Sequence, residues 1–128
     1  MSYNTKKLIL SAVILLALDS VYLSKVSSFF NTLVKDIQGS KINLHMGSAI
    51  FCYFFIILGL NYLVIQKNNN LTDAFILGLT TYGIFEATNM AIFNKWNLSG
   101  YALLDIVWGG VLYATTTYLT DKISTFLF

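Results

Sequence analysis

The stretch Met46–Ile65, MGSAIFCYFFIILGLNYLVI, contains no charged residue and ends at the polar run QKNNN, residues 66–70. A membrane-spanning helix needs about 20 mostly apolar residues, which is the length of this stretch. The whole chain is similarly apolar: its mean hydropathy is +0.67, and only 11% of its 128 residues are charged. Soluble domains carry charges at about a quarter of their positions. The sequence therefore predicts an integral membrane protein.

Three further apolar windows are flanked by polar residues, at about 8–25, 72–93 and 101–119. With 46–65 they use most of the chain, so we expect residues 1–128 to form a single transmembrane domain. The predicted fold class is all-α, an integral membrane four-helix bundle. Four crossings would place both termini on the same side of the membrane.

We call the membrane side predicted to hold both termini and the loop 67–70 side A, and the opposite side side B. The eight basic residues are all lysines and divide evenly between the two sides, so the positive-inside rule does not orient the chain. On side B, residues 26–37 have apolar residues at helical spacing. This pattern favours an extension of the first helix or an interfacial helix, with an irregular loop as the alternative.

Three carboxylic residues, Asp19, Glu86 and Asp105, fall a turn or more inside the apolar windows. A carboxylate near the bilayer centre costs a few kcal/mol, so such residues usually face the bundle interior and often mark a site. Because consecutive helices alternate in direction, all three fall in the half of the membrane nearest side B. His45, at the start of the second helix, falls on that side too. We expect these groups to gather in one region.

Helical spacing adds neighbours to the carboxyls, since residues three or four apart share a helix face. Tyr82, Glu86 and Asn89 form one stripe on the third helix. Asp105 and Trp108 share a face of the fourth helix, and Tyr22 follows Asp19 by one turn of the first. The predicted ligand-binding or proton-handling residues are Asp19, Tyr22, His45, Tyr82, Glu86, Asn89, Asp105 and Trp108.

Other residues are expected to serve packing and membrane anchoring. Gly78, Gly109 and Gly110 allow helices to approach closely or leave room for a ligand. Trp96, at the end of its window, is interpreted as an interfacial anchor.

Several classes of function lack sequence support. A net charge of +2 and scattered lysines do not favour nucleic-acid binding. The chain has no metal-ligand spacing and no glycine-rich phosphate loop, so we predict neither a metal site nor a cofactor. No serine or threonine lies in a motif that would activate it as a nucleophile. Catalytic residues are therefore unknown, and a role other than enzyme is favoured.

Residues 81–113, TYGIFEATNMAIFNKWNLSGYALLDIVWGGVLY, resemble the most characteristic part of the small membrane proteins called domain of unknown function 2177. In that family a third helix carries a tyrosine, an acidic residue and a TN pair, and a loop with tryptophan precedes a DI-WG helix. LDSVYL and IFCYFFIILGLNYLVI resemble its first two helices. The family usually has aspartate at the position of Glu86. Matching positions are Asp19, Tyr53, Tyr82, Glu86, Thr88, Asn89, Trp96, Asp105, Trp108 and Gly109.

The resemblance implies a four-helix integral membrane protein and assigns no activity. Bacterial members of the family tend to be encoded beside lipid-modifying enzymes. Our first hypothesis is a protein that binds a lipid head group or small polar molecule in a pocket of carboxylates open to one side, as an accessory in lipid modification. The alternatives are a proton-coupled transporter or channel subunit, which would need a homo-oligomer, and a structural or assembly protein. Expected partners are membrane lipids and a small polar ligand, without nucleic acid.

Overall fold

The computed structural model describes residues 2–98 and 100–128, and the regular structure within them is entirely helical. The predicted all-α membrane bundle is confirmed. The helices are α1, Tyr3–Gln38; α2, Met46–Leu60, which continues as the π-helical turn Asn61–Ile65; α3, Leu71–Ile92; and α4, Gly100–Leu127.

Helix α1 is much longer than the apolar window 8–25. It begins at the Ser2 cap, whose side chain accepts from the Thr5 backbone N–H, and ends at Gly39, which has a positive φ of 81°. Its 36 residues span about 54 Å, well beyond the roughly 30 Å hydrocarbon core. Residues 26–37 therefore continue the first helix, and form neither a separate interfacial helix nor an irregular loop.

Helix α4 extends to Leu127, beyond the predicted end near residue 119. The polar residues Thr120 and Lys122 close the apolar window, but neither breaks a helix as proline would. Thr120 and Ser124 are fully buried and continue the inward face of α4. The hydropathy window thus marked the end of the apolar segment and not the end of the helix.

Helices α3 and α4 approach one another through glycines. A Cβ atom at Gly78 would lie 2.0 Å from the Gly109 carbonyl oxygen, and one at Gly109 would lie 2.4 Å from the Tyr82 ring. A side chain at either position would separate the helices. The predicted close approach is therefore present between these two helices.

An apolar layer crosses the middle of the bundle. Leu15 of α1, Leu60 of α2 and Leu112 of α4 are fully buried and belong to one cluster with Val64 and Ala74. On α1, Ser11 lies one turn before Leu15, and Asp19 lies one turn after it. The layer thus separates two polar regions of the interior.

Among the described residues, three helical segments are long and apolar enough to cross a membrane: Tyr3–Gln38, Met46–Ile65 and Gly100–Leu127. Helix α3 has 22 residues, about 33 Å, but carries Asp73 and Glu86. We call end A the end of the bundle where the Tyr3 hydroxyl meets Ser124 Oγ at 3.2 Å, and end B the opposite end. Both terminal segments lie at end A. Their common side of the membrane stays a prediction.

The glycine contact predicts a measurable packing defect. We expect Gly78→Ala or Gly109→Ala to lower the free energy of unfolding by about 1–3 kcal/mol, because the new methyl group overlaps atoms of the facing helix. Gly59→Ala is the matched control, since no atom lies within 4 Å of a Cβ placed there. Thermal unfolding in detergent checks this, and equal effects at all three positions would contradict the close packing.

The contact between the terminal segments predicts a common location for both termini. Short tags at the N- and C-termini should be cleaved by protease from the same face of sealed vesicles. Cleavage of one tag from outside and of the other only after lysis would show that the termini lie on opposite sides.

Candidate functional site

Asp19 joins three helices near the middle of the bundle. Its side chain is buried in α1. Oδ1 accepts a hydrogen bond from Trp108 Nε1 of α4 at 3.0 Å, and Oδ2 accepts one from the Tyr53 hydroxyl of α2. Indole N–H and phenol O–H groups thus satisfy this carboxyl without a positively charged partner.

Asp105 forms a second connection between α1 and α4. The Tyr22 hydroxyl donates to Asp105 Oδ1 at 2.8 Å. The Tyr22 ring also stacks on Trp108, with centroids 4.7 Å apart and planes 13° from parallel. The bonds of Asp19 and Asp105 therefore meet at one aromatic pair, and we call Asp19, Tyr22, Tyr53, Asp105 and Trp108 the interhelical network.

Glu86 is fully buried on α3, and its donor comes from a loop. Trp96 Nε1, in the α3–α4 connection, donates to Glu86 Oε2 at 2.6 Å. Within the described residues, the other oxygen, Oε1, is buried without a hydrogen-bond partner of good geometry. Asp105 lies close enough for the two carboxyls to interact. Glu86 and Asp105 thus each accept one hydrogen bond from a neutral donor, and the two carboxyls lie side by side.

A small cavity of about 30 Å³ lies beside Glu86 at end B. A space of this volume holds a water molecule or a group of similar size. The Lys95 ammonium at its rim donates to the Asp36 carbonyl oxygen at 2.7 Å. The cavity is lined by Phe29, Phe30, Leu33, Glu86, Lys95, Trp96, Asn97 and Ala102.

The structure brings five of the eight predicted site residues together at the carboxyls: Asp19, Tyr22, Glu86, Asp105 and Trp108. Tyr82 lies nearby, and its ring packs edge-on against Tyr113 with centroids 6.4 Å apart.

Two predicted residues lie outside this arrangement. His45 is exposed at the N-cap of α2 and makes no side-chain capping bond. Asn89 is half-buried, and no hydrogen bond of its side chain is found within the described part of the chain. Helical spacing placed Asn89 on the same face of the helix as Glu86 but could not show which side chains it contacts.

Two residues of the site were missed by spacing. Tyr53 lies on a helix whose polar residues are too few to reveal a stripe, although the family resemblance included it. Trp96 was interpreted as an interfacial anchor, and this was wrong: its side chain is only 8% exposed and holds Glu86. Its position in a loop removes it from any helical pattern.

Across residues 2–98 and 100–128, no three histidine, cysteine, aspartate or glutamate residues form a group that could hold a metal ion.

A family model supports the family resemblance seen in the sequence. The model described as predicted membrane protein, DUF2177, matches residues 4–121. The chain belongs to the DUF2177 family. The match covers all of the carboxyl region and confirms the resemblance and the membrane location. No curated protein and no solved structure matches this DUF2177 chain.

The interhelical network predicts that loss of one phenol hydroxyl weakens the bundle. We expect Tyr53→Phe or Tyr22→Phe to lower the free energy of unfolding by about 1–3 kcal/mol, because a buried carboxyl oxygen loses its donor. Tyr62→Phe is the matched control, since Tyr62 is 64% exposed. Unfolding in detergent measures the difference. Equal free energies of unfolding for the three variants would show that the interhelical network does not stabilise the bundle.

Proposed function

We propose that this DUF2177 protein binds the primary ammonium group of a lipid head group through Glu86, in the cavity at end B. The observation that carries the proposal is the buried Oε1 atom of Glu86, which has no hydrogen-bond partner of good geometry within the described residues. A buried carboxylate oxygen in this condition favours a donor or a cation from outside the chain.

The lining of the cavity supports an organic cation. Phe29, Phe30 and Trp96 line the cavity together with Glu86, and the Phe30 and Trp96 rings lie 6.1 Å apart. Aromatic faces attract ammonium groups, and a carboxylate beside them adds direct charge pairing. Asp105 lies close enough to Glu86 for the two carboxyls to interact.

The cavity volume limits which cation fits. About 30 Å³ admits an –NH₃⁺ group but is too small for a bulky quaternary ammonium. Lys95 and Asn97 at the rim would then face the phosphate that follows the amine in an ethanolamine head group. A role for this binding in lipid modification rests only on the gene neighbours of bacterial family members.

The apolar layer argues against a proton path through one chain. Leu15, Leu60 and Leu112, all fully buried, lie between Asp19 and the polar groups at end A, and the buried polar side chain of their cluster is the Tyr113 phenol. A relay needs a continuous series of polar groups or water between the two sides. A binding site open toward one end needs no such series, so binding is preferred over transport.

We expect the purified wild-type protein to retain phosphatidylethanolamine over phosphatidylcholine and phosphatidylglycerol in native mass spectrometry. Glu86→Gln and Asp105→Asn should each weaken this retention about tenfold, as expected when a charge-assisted contact is lost. The glutamine amide can still accept from Trp96, so Glu86→Gln should remain folded. Free ethanolamine, added as competitor, shows whether the amine alone suffices.

Asp36→Asn is the matched control, because Asp36 is an exposed aspartate in the end-B half of α1 and does not line the cavity. It removes one negative charge and keeps the backbone carbonyl oxygen that accepts from Lys95. Equal retention of bulk lipid by the wild type and by both carboxyl variants would reject the binding proposal. An equal loss of lipid retention in Asp36→Asn would show that retention reflects general electrostatic attraction and not binding in the cavity.

A structural role is the second candidate, and the interhelical network favours it. Asp19 and Asp105 already accept hydrogen bonds from other helices. Such bonds hold transmembrane helices together where hydrophobic burial between helices contributes little. Under this alternative, Glu86→Gln leaves both lipid retention and stability unchanged.

A further inference from the structure

A larger pocket lies at end A, away from the carboxyls. Its volume is about 320 Å³, and it is formed by the start of α1, the α2–α3 connection and the last turns of α4. This volume is in the range of small-molecule sites. Its polar lining includes Lys7, Asn68, Asn69, Asn70, Asp121 and Lys122.

Lys7 is the unusual member of this lining, because its side chain is only 5% exposed. Its ammonium approaches two neutral acceptors, Ile65 O at 3.4 Å and Asn68 Oδ1 at 3.5 Å. Both distances exceed the usual range of N–H···O bonds. No carboxylate is among its partners in the described part of the chain. A buried ammonium with weak neutral partners favours an anion.

The charges of the lining favour the same ligand. Lys122 adds a second, exposed ammonium to the pocket. Asp121 is the carboxylate of the lining, so the two lysines leave one net positive charge. The neighbouring asparagine amides supply uncharged N–H donors, which suit the several oxygens of a phosphate.

The surroundings of the pocket have the composition of a membrane–water interface. Lysine ammonium groups lie over aromatic rings at this end, for example Lys7 over Tyr3 at 5.5 Å and Lys122 over Tyr118 at 5.7 Å. Lysines beside tyrosines are typical of the membrane–water interface, where they meet anionic head groups.

We propose that the pocket at end A binds a phosphate group, with Lys7 and Lys122 as its charged ligands. The site does not depend on Glu86 or on the carboxyls at end B. The phosphate belongs either to an anionic lipid head group or to a soluble phosphate, and the two sources share the same chemistry.

Native mass spectrometry of the full chain, delipidated and then given phosphatidylglycerol, tests the lipid source. We expect one retained lipid, with retention about tenfold weaker in Lys7→Gln and in Lys122→Gln. Lys67→Gln is the matched control: it removes a lysine at the same end, where Lys67 lies over Tyr62, outside the pocket. Thermal unfolding in inorganic phosphate, against sodium chloride of equal ionic strength, tests the soluble source.

Lipid retention that depends on Lys7 and Lys122 but not on Lys67 supports the proposal with a lipid ligand. Stabilisation by inorganic phosphate with the same dependence, without lipid retention, supports it with a soluble ligand. Absence of both effects, or equal losses in Lys67→Gln and Lys122→Gln, overturns it. Because Lys122 is exposed, its substitution keeps the test valid even if Lys7→Gln fails to fold.

Discussion

The rest of the structure depends on one constraint: a carboxyl buried among apolar helices must receive its hydrogen bonds from other parts of the chain. Here the donors are phenol and indole groups rather than lysine or arginine. Trp108 and Tyr22 each reach a carboxyl on the facing helix. Neutral donors avoid burying a second charge, and their rings contribute apolar contact as well. The carboxyls therefore fix how α1 and α4 face each other.

Helical periodicity was sufficient to predict those residues of the arrangement that lie on helices. Asp19 and Tyr22 share a face of α1, and Asp105 and Trp108 share one of α4, so their convergence follows once both faces point inward. Helix ends were less predictable, because hydropathy reports apolar segments while α1 and α4 continue beyond them. Spacing could not predict the role of Trp96, since a loop has no period and its path depends on tertiary packing; only the family resemblance included this residue.

The division of the interior by an apolar layer has consequences for both ends. Among the described residues, the buried carboxyls lie on the end-B side of this layer and the buried ammonium of Lys7 lies on the end-A side. Leu15, Leu60 and Leu112 lie between the two groups of charges. The two binding proposals therefore concern separate parts of the interior and ligands of opposite charge.

The three carboxyls differ in how much the bundle depends on them. Asp19 and Asp105 take their donors from helices, so changing their bonds changes helix packing. Glu86 takes its donor from Trp96, in a connection between helices, and adjoins the cavity. Under the binding proposal, Trp96 keeps its bond to Oε2 while Oε1 receives the entering group. Binding at Oε1 would then leave α1 and α4 in place. This difference is why the binding proposal rests on Glu86 and the structural alternative on Asp19 and Asp105.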